Sequence, residues 1–342
     1  MKIVTAVTVR VPAKLNLQLA VGPPRADGYH DLVTVFHAVS LFDEITVRPA
    51  GRDGVSVSGE GADRVPGDGD NLALRAVAAL RAAAAADAGG VHITIAKRIP
   101  VAAGLAGGSA DAAAALVACN ELWGTGLGQP QLLEIAARVG SDVAFAVLGG
   151  TAVGRGRGER LTPALAPATS YHWVLAFADG QLSTPAVYAA LDRLRAAESG
   201  GPAAESDGPA AESDGPAAEA GGPAVKHGAA TKHGSAEPVL DAALMSALRS
   251  GDARQLGRAL SNDLQPAALS LFPALRKTLA AGLELGALGA LVSGSGPTCL
   301  FLAASADRAL DLAASLSGAG VCRSVARASG PVPGAAVVPA VR

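Results

Sequence analysis

The chain has 342 residues, half of them hydrophobic but only 3% aromatic, and a formal net charge of −2. That length suffices for two packed lobes with a core of Val, Leu and Ala. Near-neutrality leaves no field to draw nucleic acid or an anionic membrane, so a phosphorylated ligand would be held by backbone dipoles and a few placed cations.

The N-terminal part reads as strands over 2–10, 14–21, 32–40, 43–49 and 54–58, from alternating or β-branched runs. Its opening has period two with Arg10 inside it, which marks a strand and excludes a signal peptide. The pattern predicts a helix over 71–86, a strand over 91–97, and helices over 108–122 and 129–140. A strand at 172–178 and a helix near 185–196 follow, then helices at 239–249, 252–260 and 266–282. Strands near 288–292 and 298–303, a helix at 306–317 and a strand at 321–327 close the chain.

Residues 196–237 stand apart. GPAAESD occurs at 201–207 and 208–214 and GPAAEAG at 215–221, a polar, Gly-Pro-rich repeat that predicts a disordered insertion. His227 and His233 within it read as solvated linker, not metal ligands. Cys119, Cys299 and Cys322 form no C-x-x-C pair, which argues against disulfides and zinc and fits a reducing cytoplasm. Residues 285–304 carry no charge, but SGSGP at 293–297 would break a membrane helix, so no membrane role is expected.

The stretch with most chemistry is PVAAGLAGGSADAAAA (100–115), a glycine turn between a strand and a helix. Free N–H groups and the macrodipole at a helix start make an anion site, and glycine lets a phosphate reach the backbone. A plain tight turn in an Ala/Gly-rich chain is the alternative. In VPAKLNLQL, period two puts Lys14 and Asn16 on one strand face, either toward a polar ligand or toward solvent. Tyr29 and His30 follow the Asp27-Gly28 turn, where they could meet a planar ring or pack beneath the turn. Asp142 in GSDVAF is either a cap or an active-site base. SGSGP reads as a hairpin or as a close backbone approach.

PAKLNL, P-x-x-x-G-L-x-G-G-S-A-D and SGSGPT occur in the order of the three motifs of the GHMP kinases, and the chain resembles that family except over 196–237. The segment AKLNLQLAVGPPRADGYHDLVTVFHAVSLFDEI, with R-x-D-G-Y-H-x-L inside it, and the later G-S-D-V-A-F resemble one branch in particular. That branch phosphorylates the 2-hydroxyl of a cytidyl diphosphate methylerythritol with ATP, in the non-mevalonate route to isoprenoid precursors. The resemblance implies an α+β fold. Residues 1–165 would form a lobe like ribosomal protein S5 domain 2. Residues 166–342 would form a ferredoxin-like lobe interrupted by 196–237, with the site between the two.

It also implies roles. Asp142 matches the catalytic aspartate and Lys14 its paired lysine. Asn16, Tyr29, His30, Thr184 and Tyr188 match substrate contacts, with Tyr188 as one face of a cytosine sandwich. Asn71 and Lys97 match positions near adenine, and Pro100 lies at the head of the phosphate loop formed by Ala102, Ala103, Gly104, Leu105, Ala106, Gly107, Gly108 and Ser109. Mg²⁺ would arrive on the ATP phosphates, with Ser109 as a protein contact. The protein would act on its small molecule as a monomer or homodimer. A homoserine or mevalonate type of acceptor is the alternative, against which Tyr29, His30 and Tyr188 speak, since those acceptors carry no base. A catalytically silent binding protein is the other, against which Lys14 and Asp142 speak.

Overall fold

The computed structural model describes residues 5–84, 88–165, 169–198 and 237–339. Two strands dominate its first half: β1 (Val7–Pro24) and β2 (His30–Ala50) pair antiparallel along most of their length. The sequence pattern divides each into two. The pairing instead continues through register shifts at Pro12/Ala13 and Asn16/Gln18. Such irregularities break the alternation of side chains without ending the strand.

After β3 (Gly54–Gly59), α1 (Leu72–Ala83) starts at Asn71, whose side chain caps the Ala73 N–H. Next come β4 (Gly90–Lys97), α2 (Gly107–Trp123), α3 (Gln129–Val139) and α4 (Ser141–Leu148), which makes the apolar run after Asp142 a helix. The strands β5 (Thr151–Gly156) and β6 (Arg160–Pro163) complete this half. Helix α2 is buried almost all round, with Ala112 through Leu116 at 0% exposure. Alanines let it pack between the sheet and its neighbouring helices, so a helix with little amphipathic pattern becomes the centre of the core.

The second half runs β7 (Tyr171–Phe177), α5 (Thr184–Glu198), α6 (Ala242–Ser250), α7 (Ala253–Ala259), β8 (Ser261–Asn262), α8 (Gln265–Leu271) and α9 (Leu275–Glu284). The single helix expected over 266–282 is thus two. Pro273 lies at the break, and proline offers no N–H to continue a helix. Then follow β9 (Gly289–Val292), β10 (Cys299–Ala303), α10 (Ala306–Gly318), β11 (Ser324–Gly330) and β12 (Ala336–Val337). Most of the expected insertion, 199–236, lies outside the described residues, as do His227 and His233.

The larger sheet has the order β12-β1-β2-β4-β3, with β5 also on β2, and the smaller one β11-β7-β10-β9. A division at 165 falls between β6 and β7, but β8 and β12 cross back to pair with β1. The latter half of the chain is therefore stitched into the first sheet, and the strand carrying Lys14 is held from both edges.

Candidate active site

A cleft of about 630 Å³ is lined by β1 and β2 of the first sheet, by the glycine loop, by the first turns of α4 and α5 and by the turn between β9 and β10. The loop ends in α2, whose first N–H groups lack intrahelical acceptors and have no side-chain cap. Gly107, Gly108 and Ser109 at that end line the cleft. Ala102 and Ala106 take left-handed conformations, φ 55° and 57°, in which alanine is strained and glycine is not. At Gly104 a Cβ would lie 2.2 Å from the Ser293 carbonyl oxygen, so the loop touches the SGSGP turn backbone to backbone. The Ser293 hydroxyl donates to the Gly104 carbonyl at 3.1 Å.

That same turn covers Lys14. A Cβ on Gly294, at φ 54°, would come within 3.4 Å of Lys14 Nζ and 3.3 Å of Asn16 Oδ1. SGSGP is thus both things its pattern allowed, a β9–β10 hairpin and a close approach. Asn262 keeps it there by donating to the Val292 and Gly294 carbonyls.

Lys14 Nζ donates to Asn16 Oδ1 at 2.6 Å, and Asn16 Nδ2 donates to Thr34 Oγ1 at 2.8 Å. The chain ends where Thr34 donates to the Gln18 carbonyl, so both side chains are fixed in orientation. Asp142, in the first turn of α4, places Oδ2 4.0 Å from Lys14 Nζ. Burial lowers the Lys14 pKa, and the Asp142 carboxylate only partly opposes it. Asp142 itself stays partly open to the cleft, its side chain 34% exposed.

On the far side stand Thr184, its hydroxyl 2.8 Å from Ser295 Oγ, and Tyr188. Burial, with the nearby Asp142 charge, pushes the Tyr188 hydroxyl up to about 12. His30 does not line the cleft; it lies behind Tyr188 at 5.0 Å between rings and bonds Asp192 at 2.9 Å. Tyr29 is 56% exposed at the rim. Arg157 lines the cleft and lays its guanidinium 5.2 Å above the Tyr29 ring. The sequence reading missed Arg157; its signal was an arginine between two glycines in GRGRGE, a turn that projects the side chain.

Leu105 is buried beneath the loop, where its carbonyl accepts the Lys14 N–H. Pro100 faces a separate 270 Å³ cavity beside Arg64 and Arg323. Two residues matched to an adenine site are engaged elsewhere. Asn71 donates to the Pro66 carbonyl while capping α1. Lys97 is buried and bonded to both Asp43 and Asp111. Burial pushes Asp111 up to about 7, against the pull of Lys97. Asp43 and Asp111 lie inside the segments that carry the family resemblance, but nothing in sequence marks them as partners of Lys97, because only the fold brings them together.

Comparison with known proteins defines the class. Residues 71–150 match the GHMP kinases N terminal domain and residues 244–322 the GHMP kinases C terminal. The fold is that of a GHMP kinase. A homoserine kinase from Cytophaga hutchinsonii shares the fold at TM-score 0.68, with 19% identity over 99% of both chains. Relatives narrow it further. A 4-diphosphocytidyl-2-C-methyl-D-erythritol kinase of Thermobifida fusca is 55% identical over 98% of this chain and 99% of its own length. That of Mycolicibacterium smegmatis is also 55% identical, over 98% of this chain and 93% of its own. A crystal structure of 4-(cytidine 5'-diphospho)-2C-methyl-D-erythritol kinase has 32% identity and a TM-score of 0.68, over 94% of this chain and 98% of that one. The chain belongs to the 4-diphosphocytidyl-2-C-methyl-D-erythritol kinase family.

Proposed function

We propose that the cleft transfers the γ-phosphoryl group of ATP to the 2-hydroxyl of 4-diphosphocytidyl-2-C-methyl-D-erythritol, with Asp142 and Lys14 as the reacting pair. The observation that carries this is the placement of Lys14 Nζ 4.0 Å from Asp142 Oδ2 in the cleft that the glycine loop also lines. Asp142 accepts or orients the hydroxyl proton. Lys14, short of partners, stabilises the negative charge that builds on the attacking oxygen. The N–H groups of Gly107, Gly108 and Ser109 hold the phosphates at the start of α2. Phosphoryl transfer asks for little else, since positioning and charge stabilisation supply most of its catalysis.

Tyr188 and Tyr29 provide faces for cytosine, with Thr184 and Asn16 as polar contacts. Arg157, poised over Tyr29, provides a cation for the acceptor's diphosphate. Homoserine and mevalonate carry neither a base for the tyrosine faces nor a diphosphate for Arg157.

Among the described residues no cluster of three His, Cys, Asp or Glu is placed to hold a metal. That donor set fits a magnesium ion held mainly by phosphates, with Ser109 as its protein contact. When bound, the ion neutralises phosphate charge. We also place the protein in a reducing cytoplasm, a reading supported by three free thiols. It would work there as a monomer or homodimer, its two lobes dividing near residue 165.

The test is ADP formation by purified protein with Mg-ATP and 4-diphosphocytidyl-2-C-methyl-D-erythritol, set beside homoserine and mevalonate. Turnover of the cytidyl acceptor alone is expected. A folded protein that turns over homoserine or mevalonate instead would sink the reading.

A further inference from the structure

Beneath the start of α2 lies an ionic cluster that the reaction leaves unused. Asp43 on β2, Lys97 at the end of β4 and Asp111 on α2 are all buried, and none lines the cleft. Lys97 Nζ donates to Asp43 Oδ2 at 2.6 Å and to Asp111 Oδ2 at 2.7 Å. The second Asp43 oxygen accepts the N–H groups of Arg98 at 2.5 Å and Ile99 at 2.8 Å. A Cβ on Gly107 would sit 3.3 Å from Lys97 Nζ, so the first turn of α2 rests on the ammonium.

The glycine loop runs between these anchors. Its conformation is unfavourable, with Ala102 and Ala106 both left-handed, and such backbone persists only where its surroundings over-determine it. Asp43 grips the two N–H groups that open the loop. Asp111, on the helix that closes it, ties that helix to Lys97. Lys97 joins the two grips into one.

We propose that Asp43, Lys97 and Asp111 form a positioning device for the nucleotide triphosphate, holding the loop from Arg98 to Gly107 in the shape that aims its N–H groups at phosphate. This rests on the reading of the cleft as an ATP site. All three are positioning residues acting through backbone, and the Lys97 ammonium, committed to two carboxylates, does not reach for adenine.

The test is calorimetric titration of the full chain with a non-hydrolysable ATP analogue, with inorganic triphosphate and with the cytidyl acceptor. Asp43→Asn keeps the shape and removes the charge that orders the loop. It should weaken the ATP analogue and the inorganic triphosphate about tenfold and leave the acceptor Kd within about twofold. Lys97→Arg should bind the analogue within about threefold of wild type, and Lys97→Met should not.

Unchanged affinity in a folded Asp43→Asn variant would refute the device. So would a loss confined to the ATP analogue, which would mean direct contact with the nucleoside. If Asp43→Asn does not fold, Asp111→Asn is read the same way, with about threefold weakening expected and none overturning the proposal. Failure of the wild-type chain to bind the analogue would instead sink the reading of the cleft.

Discussion

Lys14 and Lys97 are both buried lysines facing aspartates, and their surroundings set them apart. Lys97 has carboxylates at 2.6 and 2.7 Å. Burial pulls its pKa down, but Asp111 and Asp43 outweigh that and raise it. Lys14 has one carboxylate at 4.0 Å and one amide oxygen at 2.6 Å, and burial lowers its pKa despite Asp142. A fully paired cation is locked in place and adds rigidity. An under-paired one at the edge of a cleft keeps its attraction for a negative charge that appears only in the transition state. On the proposed reading, the same two residue types serve architecture in one place and chemistry in the other.

Removing each lysine should separate the two roles. Lys97→Met leaves two buried carboxylates without their cation and should destabilise the fold by about 3–5 kcal/mol, read from a denaturant midpoint. A midpoint near wild type would break the contrast. Lys14→Met removes a buried and poorly paired charge, so stability should change by less than about 1 kcal/mol. Its kcat should fall by about 10²–10³-fold, the scale of a lost oxyanion donor.

Smaller effects sharpen the picture on the acceptor side. Tyr188→Ala should weaken the acceptor by about 1–3 kcal/mol, roughly a fivefold to 150-fold rise in its KM, while KM for ATP holds steady. An equal rise in both would point to a collapsed cleft.

The pH profile carries the smallest effect. Lys14 is active while charged, so kcat should fall as pH rises through its lowered pKa. That limb should lie below the ordinary lysine value of about 10.4 and move upward in Lys14→Arg. A limb that ignores the substitution belongs to another group.

What the sequence made legible was local. The glycine turn, the shared face of Lys14 and Asn16, and most helices and strands follow from spacing and residue type. What stayed hidden was the meeting of distant segments. Gly104 and Ser293 are 189 residues apart, and neither carries a mark that they touch. Lys97 matches the adenine region by resemblance, and nothing in sequence shows its partners, which sit on β2 and α2. The apolar run after Asp142 is too short for periodicity to choose strand or helix. Pro273, by contrast, was a visible break inside an otherwise helical pattern.

The central claim is that Asp142 and Lys14 react while the buried triad only holds. Single-turnover phosphoryl transfer by Asp142→Asn, saturated with Mg-ATP and 4-diphosphocytidyl-2-C-methyl-D-erythritol, tests it most directly. The rate should fall by about 10²–10⁴-fold with both ligands still bound at wild-type affinity. A wild-type rate in that variant would contradict the account.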